Sequence, residues 1–161
     1  MNTPPRTLGL LAACLLAPLT VFTIGDWMGA GLRFPLVLYQ DTIHGISWIP
    51  LWREITYVTS GLIGGRSALA ILLWTLGTLL LIAAACLLIV RWYEKGQRPV
   101  ALLLAGAGAA FLLSCVAHYG PLFHGPAGVC VPVGVPLVFA AAWFVWRGED
   151  GEDESTSPDS S

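Results

Sequence analysis

The sequence predicts an all-α integral membrane protein: a four-helix bundle with a short interfacial amphipathic helix in its outer loop. Three observations predict it. Between Arg66 and Arg91 the 24 residues Ser67–Val90 carry no charge; as a helix rising about 1.5 Å per residue they reach roughly 36 Å, more than the roughly 30 Å of bilayer hydrocarbon. The composition is 56% hydrophobic and only 11% charged, whereas about a quarter of the residues in a soluble domain are charged. Three further runs, Thr7–Ile24, Pro99–Ala117 and Val129–Trp146, contain no Asp, Glu, Lys, Arg or His. The expected organisation is a membrane domain over residues 1–147, with spans at about 7–24, 67–90, 99–117 and 129–146 and an outer loop over 25–66. A disordered acidic tail follows over 148–161.

Each element has its own warrant. The first run follows Arg6 and contains Leu11-Ala12-Ala13-Cys14, which imitates a lipoprotein cleavage box, but the chain stays apolar to Ile24 with no A-x-A site before Asp26. An uncleaved span is therefore expected, kinked at Pro18 by the missing backbone donor. Ser67–Val90 holds nine Leu, three Ile and one Val, which at about −0.3 to −0.6 kcal/mol each contribute roughly −4 to −8 kcal/mol to insertion and outweigh Gly77, Thr75 and Thr78. Arg91–Pro99 reads as a basic hairpin turn, and Pro99 suits the first turn of the third span. Within that span Ala101 and Ala105, and Gly106 and Ala110, stand four apart and permit close approach of helix backbones, so Ala105, Gly106 and Ala110 are the expected seam for another subunit or a second copy. The fourth run is interrupted by Pro132, Gly134 and Pro136 and closes with Trp143, Trp146 and Arg147, an interfacial ending.

The outer loop is too apolar for a free linker, with Trp27, Phe34, Tyr39, Trp48, Trp52 and Tyr57 within it. Arg33–Gln40 has the aromatic and branched composition of a strand but contains Pro35, which suits only an edge. Leu51, Ile55, Val58 and Leu62 recur at helical spacing opposite Arg53, Thr56 and Ser60, between Pro50 and Gly64-Gly65; an amphipathic helix over 51–62 is expected there.

Six of the ten acids lie in the last thirteen residues, leaving the membrane body with 8 basic and 4 acidic residues. That surplus is no nucleic-acid footprint. Placing Arg6, Arg91, Lys95, Arg98 and Arg147 on the cytoplasmic side and Arg33, Arg53 and Arg66 outside satisfies the positive-inside rule, with both termini cytoplasmic and the protein a multi-pass resident of the cell membrane. Phe34-Pro35, Tyr57–Leu62 just before the long second span, and the Trp-rich end of the fourth span ahead of a charged tail together resemble an uncharacterised family of small multi-span membrane proteins of halophilic archaea. The resemblance covers most of residues 7–147 and implies an architecture without an activity.

Functional marks are sparse. The runs lack the buried ionisable residues by which ion-coupled transporters are recognised, and no phosphate loop, nucleophile elbow or H-E-x-x-H motif occurs. His44, His118 and His124 are the only imidazoles and form the candidate metal set; the four cysteines have no metal-type spacing, although Cys115 and Cys130 could sit at one membrane face and pair. Asp41, His44 and Arg53 are the candidate catalytic residues of an outer-face enzyme, with Arg33 or Arg53 able to hold a lipid phosphate. No cofactor is expected. The expected partners are the lipid bilayer and other membrane subunits, and the leading function is that of an accessory or scaffold subunit, with an outer-face enzyme or metal-binding protein as the alternative.

Overall fold

The computed structural model describes residues 4–25, 28–90 and 97–153. Asp26 and Trp27, most of the basic turn (91–96) and the last part of the acidic tail (154–161) lie outside the described residues, as do the side chains of Arg6 and of 148–153.

Helix α1 (Pro4–Leu16) stops short of Pro18. Proline lacks the N–H that would continue the helical ladder, and the residues after it, Thr20-Val21-Phe22-Thr23-Ile24, are branched or aromatic, types that pack well on a pleated surface and lose rotamer freedom in a helix. They form strand β1 (Thr20–Ile24), which pairs antiparallel with β2 (Gly29–Arg33) in the register Thr20 to Arg33 and Ile24 to Gly29. Strands β3 (Val37–Thr42) and β4 (Gly45–Pro50) extend the meander. Their two-residue turn is tied by Thr42, whose hydroxyl oxygen accepts from the His44 backbone N–H at 3.2 Å. After helices α2 (Leu51–Thr59), α3 (Gly65–Val90) and α4 (Arg98–Tyr119), the short hairpin β5 (His124–Gly125) and β6 (Gly128–Val131) returns, and β6 pairs with the free side of β1. The sheet order is β4-β3-β2-β1-β6-β5. Helix α5 (Val135–Asp153) ends the described chain.

This overturns the expected all-α four-helix bundle. Among the described residues five helices accompany a six-stranded antiparallel sheet, and the first and fourth apolar runs are each part helix and part strand. Pro18 divides the first run. In the fourth, Pro132 and Gly134 divide β6 from α5, and the Gly134 N–H donates to the Leu19 carbonyl at 2.9 Å, tying the two break points together. A continuous apolar run satisfies a buried strand as well as a helix, so hydropathy alone could not separate them. The expected outer loop, 25–66, holds the strands β2, β3 and β4; its amphipathic helix, α2, ends at Thr59, short of Leu62. Six residues assigned to the acidic tail, 148–153, continue α5.

The sheet is latched onto α3 through the turn between β2 and β3. Trp74 Nε1 donates to the Phe34 carbonyl at 3.0 Å and Thr78 Oγ1 to the Pro35 carbonyl at 2.7 Å, while Pro35 is buried. Helices α3 and α4 pack closely: a Cβ on Gly77 would stand 2.6 Å from the Phe111 ring, and Ser114 Oγ donates to the Ala70 carbonyl at 2.7 Å. The core continues through Leu81, Leu88, Leu104, Phe111, Val138 and Val145.

Among the described residues only α3 and α4 are long and apolar enough to cross a membrane, and about a third and a half of their apolar windows, respectively, are buried within the protein. Leu69, Leu72, Leu76, Leu79, Leu102 and Leu113 point outward. A soluble protein would cover such helices with its own chain, so this outward apolar surface supports a membrane location. The apolar parts of α1 and α5 cover Thr7–Leu16 and Val135–Arg147, about 15 and 20 Å of helix, too short to cross by themselves.

Candidate functional site

Strand alternation places Arg33 on the same face as Gly31, turned toward the helices, and leaves it 7% exposed. Its guanidinium lies 4.9 Å from the Trp74 ring centroid and 5.8 Å from that of Phe22. Trp74 is itself fixed by the bond to Phe34. Among the described residues, no ion pair or side-chain hydrogen bond engages Arg33, and its Nε is buried with no acceptor. The cation faces a cleft of about 290 Å³ formed by β1, β2, β3, α2, the start of α3 and the end of α4.

Glu54 enters the same cleft from α2. It stands three residues after Leu51, on the buried side of that helix, and is 6% exposed. Burial pushes its carboxyl above the usual carboxylate range, partly offset by the Arg33 charge. Arg33 and Glu54 are not in ion-pair contact, so the cleft separates two oppositely charged or chargeable groups. Gln40, Ser67, His118 and Tyr119 add polar edges, while Phe22, Ile24, Leu38, Ile63 and Ile71 supply apolar wall. His118 Nδ1 is a second buried atom with no hydrogen-bond partner, and its ring lies 4.7 Å from that of Tyr119. Beside this group, Cys115 of α4 and Cys130 of β6 are both buried free thiols.

Glu54 makes stability depend on pH with a definite sign. The folded state holds this proton to higher pH than the unfolded chain, so the contribution is fully present below the ordinary Glu value of about 4.3 and is lost as pH rises through the folded value. Denaturation of detergent-solubilised protein across this range is expected to show that decline in the wild type and a flatter curve in Glu54→Gln, which is neutral throughout. Parallel curves would remove Glu54 from the account.

The residues singled out from sequence are mostly not brought together. Asp41 on β3, His44 in the β3–β4 turn and Arg53 on α2 are all exposed, and among the described residues no hydrogen bond or ion pair joins their side chains. Arg53 and Glu54 are neighbours on opposite sides of one helix, exposed and buried respectively. Of the three histidines, His118 lines the cleft, His44 caps a hairpin, and His124 borders a separate, wider cavity with Met28 and Val129. Among the described residues no group of three or more His, Cys, Asp or Glu could hold a metal ion. Ala110 is buried and a Cβ on Gly106 would lie 3.4 Å from Leu80, so part of the small-residue seam serves the α3–α4 contact.

Arg33 and Glu54 each left a faint mark in the sequence. Glu54 sits at i+3 from Leu51 and i−4 from Val58, a carboxylate on the apolar face of an amphipathic helix. Arg33 is two residues from Gly31 in a segment whose strand character became visible only through its partners. No protein-family model and no curated protein matches the sequence.

Proposed function

We propose that this is a multi-pass membrane protein that binds a small organic anion in the Arg33 cleft, at the outer boundary of the membrane, with the connection between α3 and α4 on the cytoplasmic side. The observation that carries this reading is the side chain of Arg33, more than nine-tenths buried, without an ion pair among the described residues, and facing a cleft. Removing a charge from water costs several kcal/mol unless a partner compensates it, and contact with aromatic faces recovers only about 2 kcal/mol. A carboxylate ligand would complete that charge. Its body would lie against Phe22, Leu38 and Ile71, while Gln40 and Tyr119 would supply donors. The cleft volume suits a compact ligand, at the lower end of the roughly 300–1,000 Å³ typical of small-molecule sites. Arg91, Lys95 and Arg98, clustered between the two long helices, support that orientation.

The test is the unfolding midpoint of the detergent-solubilised protein with acetate, butyrate, succinate or inorganic phosphate at matched ionic strength. A ligand at 100 times its Kd stabilises the native state by about 2.7 kcal/mol, a readable upward shift. Stabilisation by an organic carboxylate but not by phosphate or chloride supports the reading; no shift with any anion overturns it.

A second reading, an accessory subunit, is favoured by one feature of α3. Leu69, Leu72, Leu76, Leu79, Ala83, Cys86 and Val90 are all exposed and alternate at steps of three and four, the spacing of a helix-pairing seam. Cys86 lies in that seam as a native probe. Copper-catalysed oxidation in membranes is expected to give a Cys86-dependent covalent dimer if two copies pair there, and monomer alone if lipid covers the face.

A further inference from the structure

Arg33 and Glu54 bring opposite charges to one cleft and do not meet. Arg33 is 7% exposed and Glu54 6%, and among the described residues no hydrogen bond or ion pair engages either side chain. Each is costly to bury alone, so two such groups free to touch would pair directly. Their elements hold them apart. The turn after β2 is tied to α3 by the bonds from Trp74 and Thr78, and the guanidinium rests beside the Trp74 and Phe22 rings. Helix α2 leaves that same region, where the Leu51 N–H donates to the Leu36 carbonyl at 2.9 Å, and carries Glu54 on its buried side. Both residues line the cleft of about 290 Å³, whose wall is otherwise largely apolar. His118 lines it as well and keeps a buried Nδ1 with no partner.

We infer that the ligand of this cleft is a zwitterionic α-amino acid with a short apolar side chain, its carboxylate on the Arg33 guanidinium and its ammonium on Glu54. The inference rests on the reading that a carboxylate binds at Arg33, and adds the second charge. A guanidinium presents a planar fork of donors to a carboxylate. An ammonium has three N–H donors; Glu54 accepts one, and the unpartnered nitrogen of a neutral His118 ring is placed in the same cleft to accept another. The side chain of the ligand lies against Phe22, Leu38 and Ile71. Charge decides between this ligand and a simple anion. A zwitterion compensates both buried groups and adds no net charge, whereas a plain carboxylate compensates Arg33 and sets a second negative charge near an ionised Glu54. The uncompensated carboxylate of Glu54 thus works against anions that lack the ammonium.

The test is calorimetric titration of the full chain in detergent micelles, near neutral pH and at matched ionic strength, with 2-aminobutyrate, with butyrate, which lacks the ammonium, and with propylamine, which lacks the carboxylate. 2-Aminobutyrate is expected to bind at least about tenfold more tightly than either, the effect of one hydrogen bond to a charged group. In Glu54→Gln the preference for 2-aminobutyrate over butyrate should disappear, and the unfolding midpoint of the same sample shows that the variant is folded. The wild-type series stands without any variant. Butyrate binding as tightly as 2-aminobutyrate overturns the inference and leaves the carboxylate site standing. Propylamine binding as tightly overturns it as well, because Arg33 then contributes nothing. A preference that persists undiminished in folded Glu54→Gln overturns the assignment of the ammonium to Glu54. If neither butyrate nor 2-aminobutyrate binds, the carboxylate site falls together with the inference.

Discussion

Arg33→Met is expected to abolish stabilisation by an organic anion while leaving the ligand-free protein as stable as the wild type or more so. The two effects have opposite signs for one reason. Among the described residues the buried Arg33 side chain has no ion-pair partner, and exchanging a buried charge for an apolar chain of similar length is neutral to stabilising by about 1–4 kcal/mol. In the complex the same guanidinium is the charge partner of the ligand, and losing one member of such a pair costs about 2–5 kcal/mol, at least ~30-fold in affinity. Arg33→Lys separates charge from shape. It keeps the cation but loses the planar group stacked on Trp74, so binding should fall between wild type and Arg33→Met. Calorimetric titration of each variant with the carboxylate that stabilises the wild type, alongside their unfolding midpoints, checks all three expectations. A marked loss of stability in ligand-free Arg33→Met would instead make Arg33 a structural residue.

Gly128→Val should be the most damaging single change in the sheet, destabilising by about 3 kcal/mol or more. Gly128 opens β6 at φ +122°, a conformation that L side chains rarely adopt, and a Cβ there would collide with the Thr23 carbonyl on the neighbouring strand. A branched side chain therefore meets both backbone strain and a steric block that no rotamer relieves. The β1–β6 pairing should loosen, seen as weaker amide I absorption in the sheet region and a lower denaturation midpoint.

The two central helices were legible because their signal is redundant. In α3 and α4 the length, the absence of charge and the flanking basic residues all point the same way, and the tertiary structure leaves most of α3's apolar surface facing outward. The first and fourth runs were not legible, because apolar composition is shared by a spanning helix and a strand buried against helices. The local clues, Pro18 in one and Pro132 with Gly134 in the other, read equally well as kinks. What decided them was pairing between residues more than a hundred positions apart, Val21 with Val131 and Phe22 with Cys130. Hydrogen bonds of that range leave no periodicity in either segment.

The candidate site followed the same division. Asp41, His44 and Arg53 drew notice as polar residues of an apolar loop, yet strand and helix geometry turned them outward. Arg33 and Glu54, their near neighbours, were turned inward. By itself the sequence determined that this chain carries membrane-length apolar helices, two of the four runs offered as spans, and a junction rich in aromatic residues, because those properties are sums over residues. Which charges are buried was decided by the tertiary structure alone. A one-residue shift along a strand or a 100° step around a helix reverses inside and outside, and only the partners across the sheet and beneath the helix fix that choice.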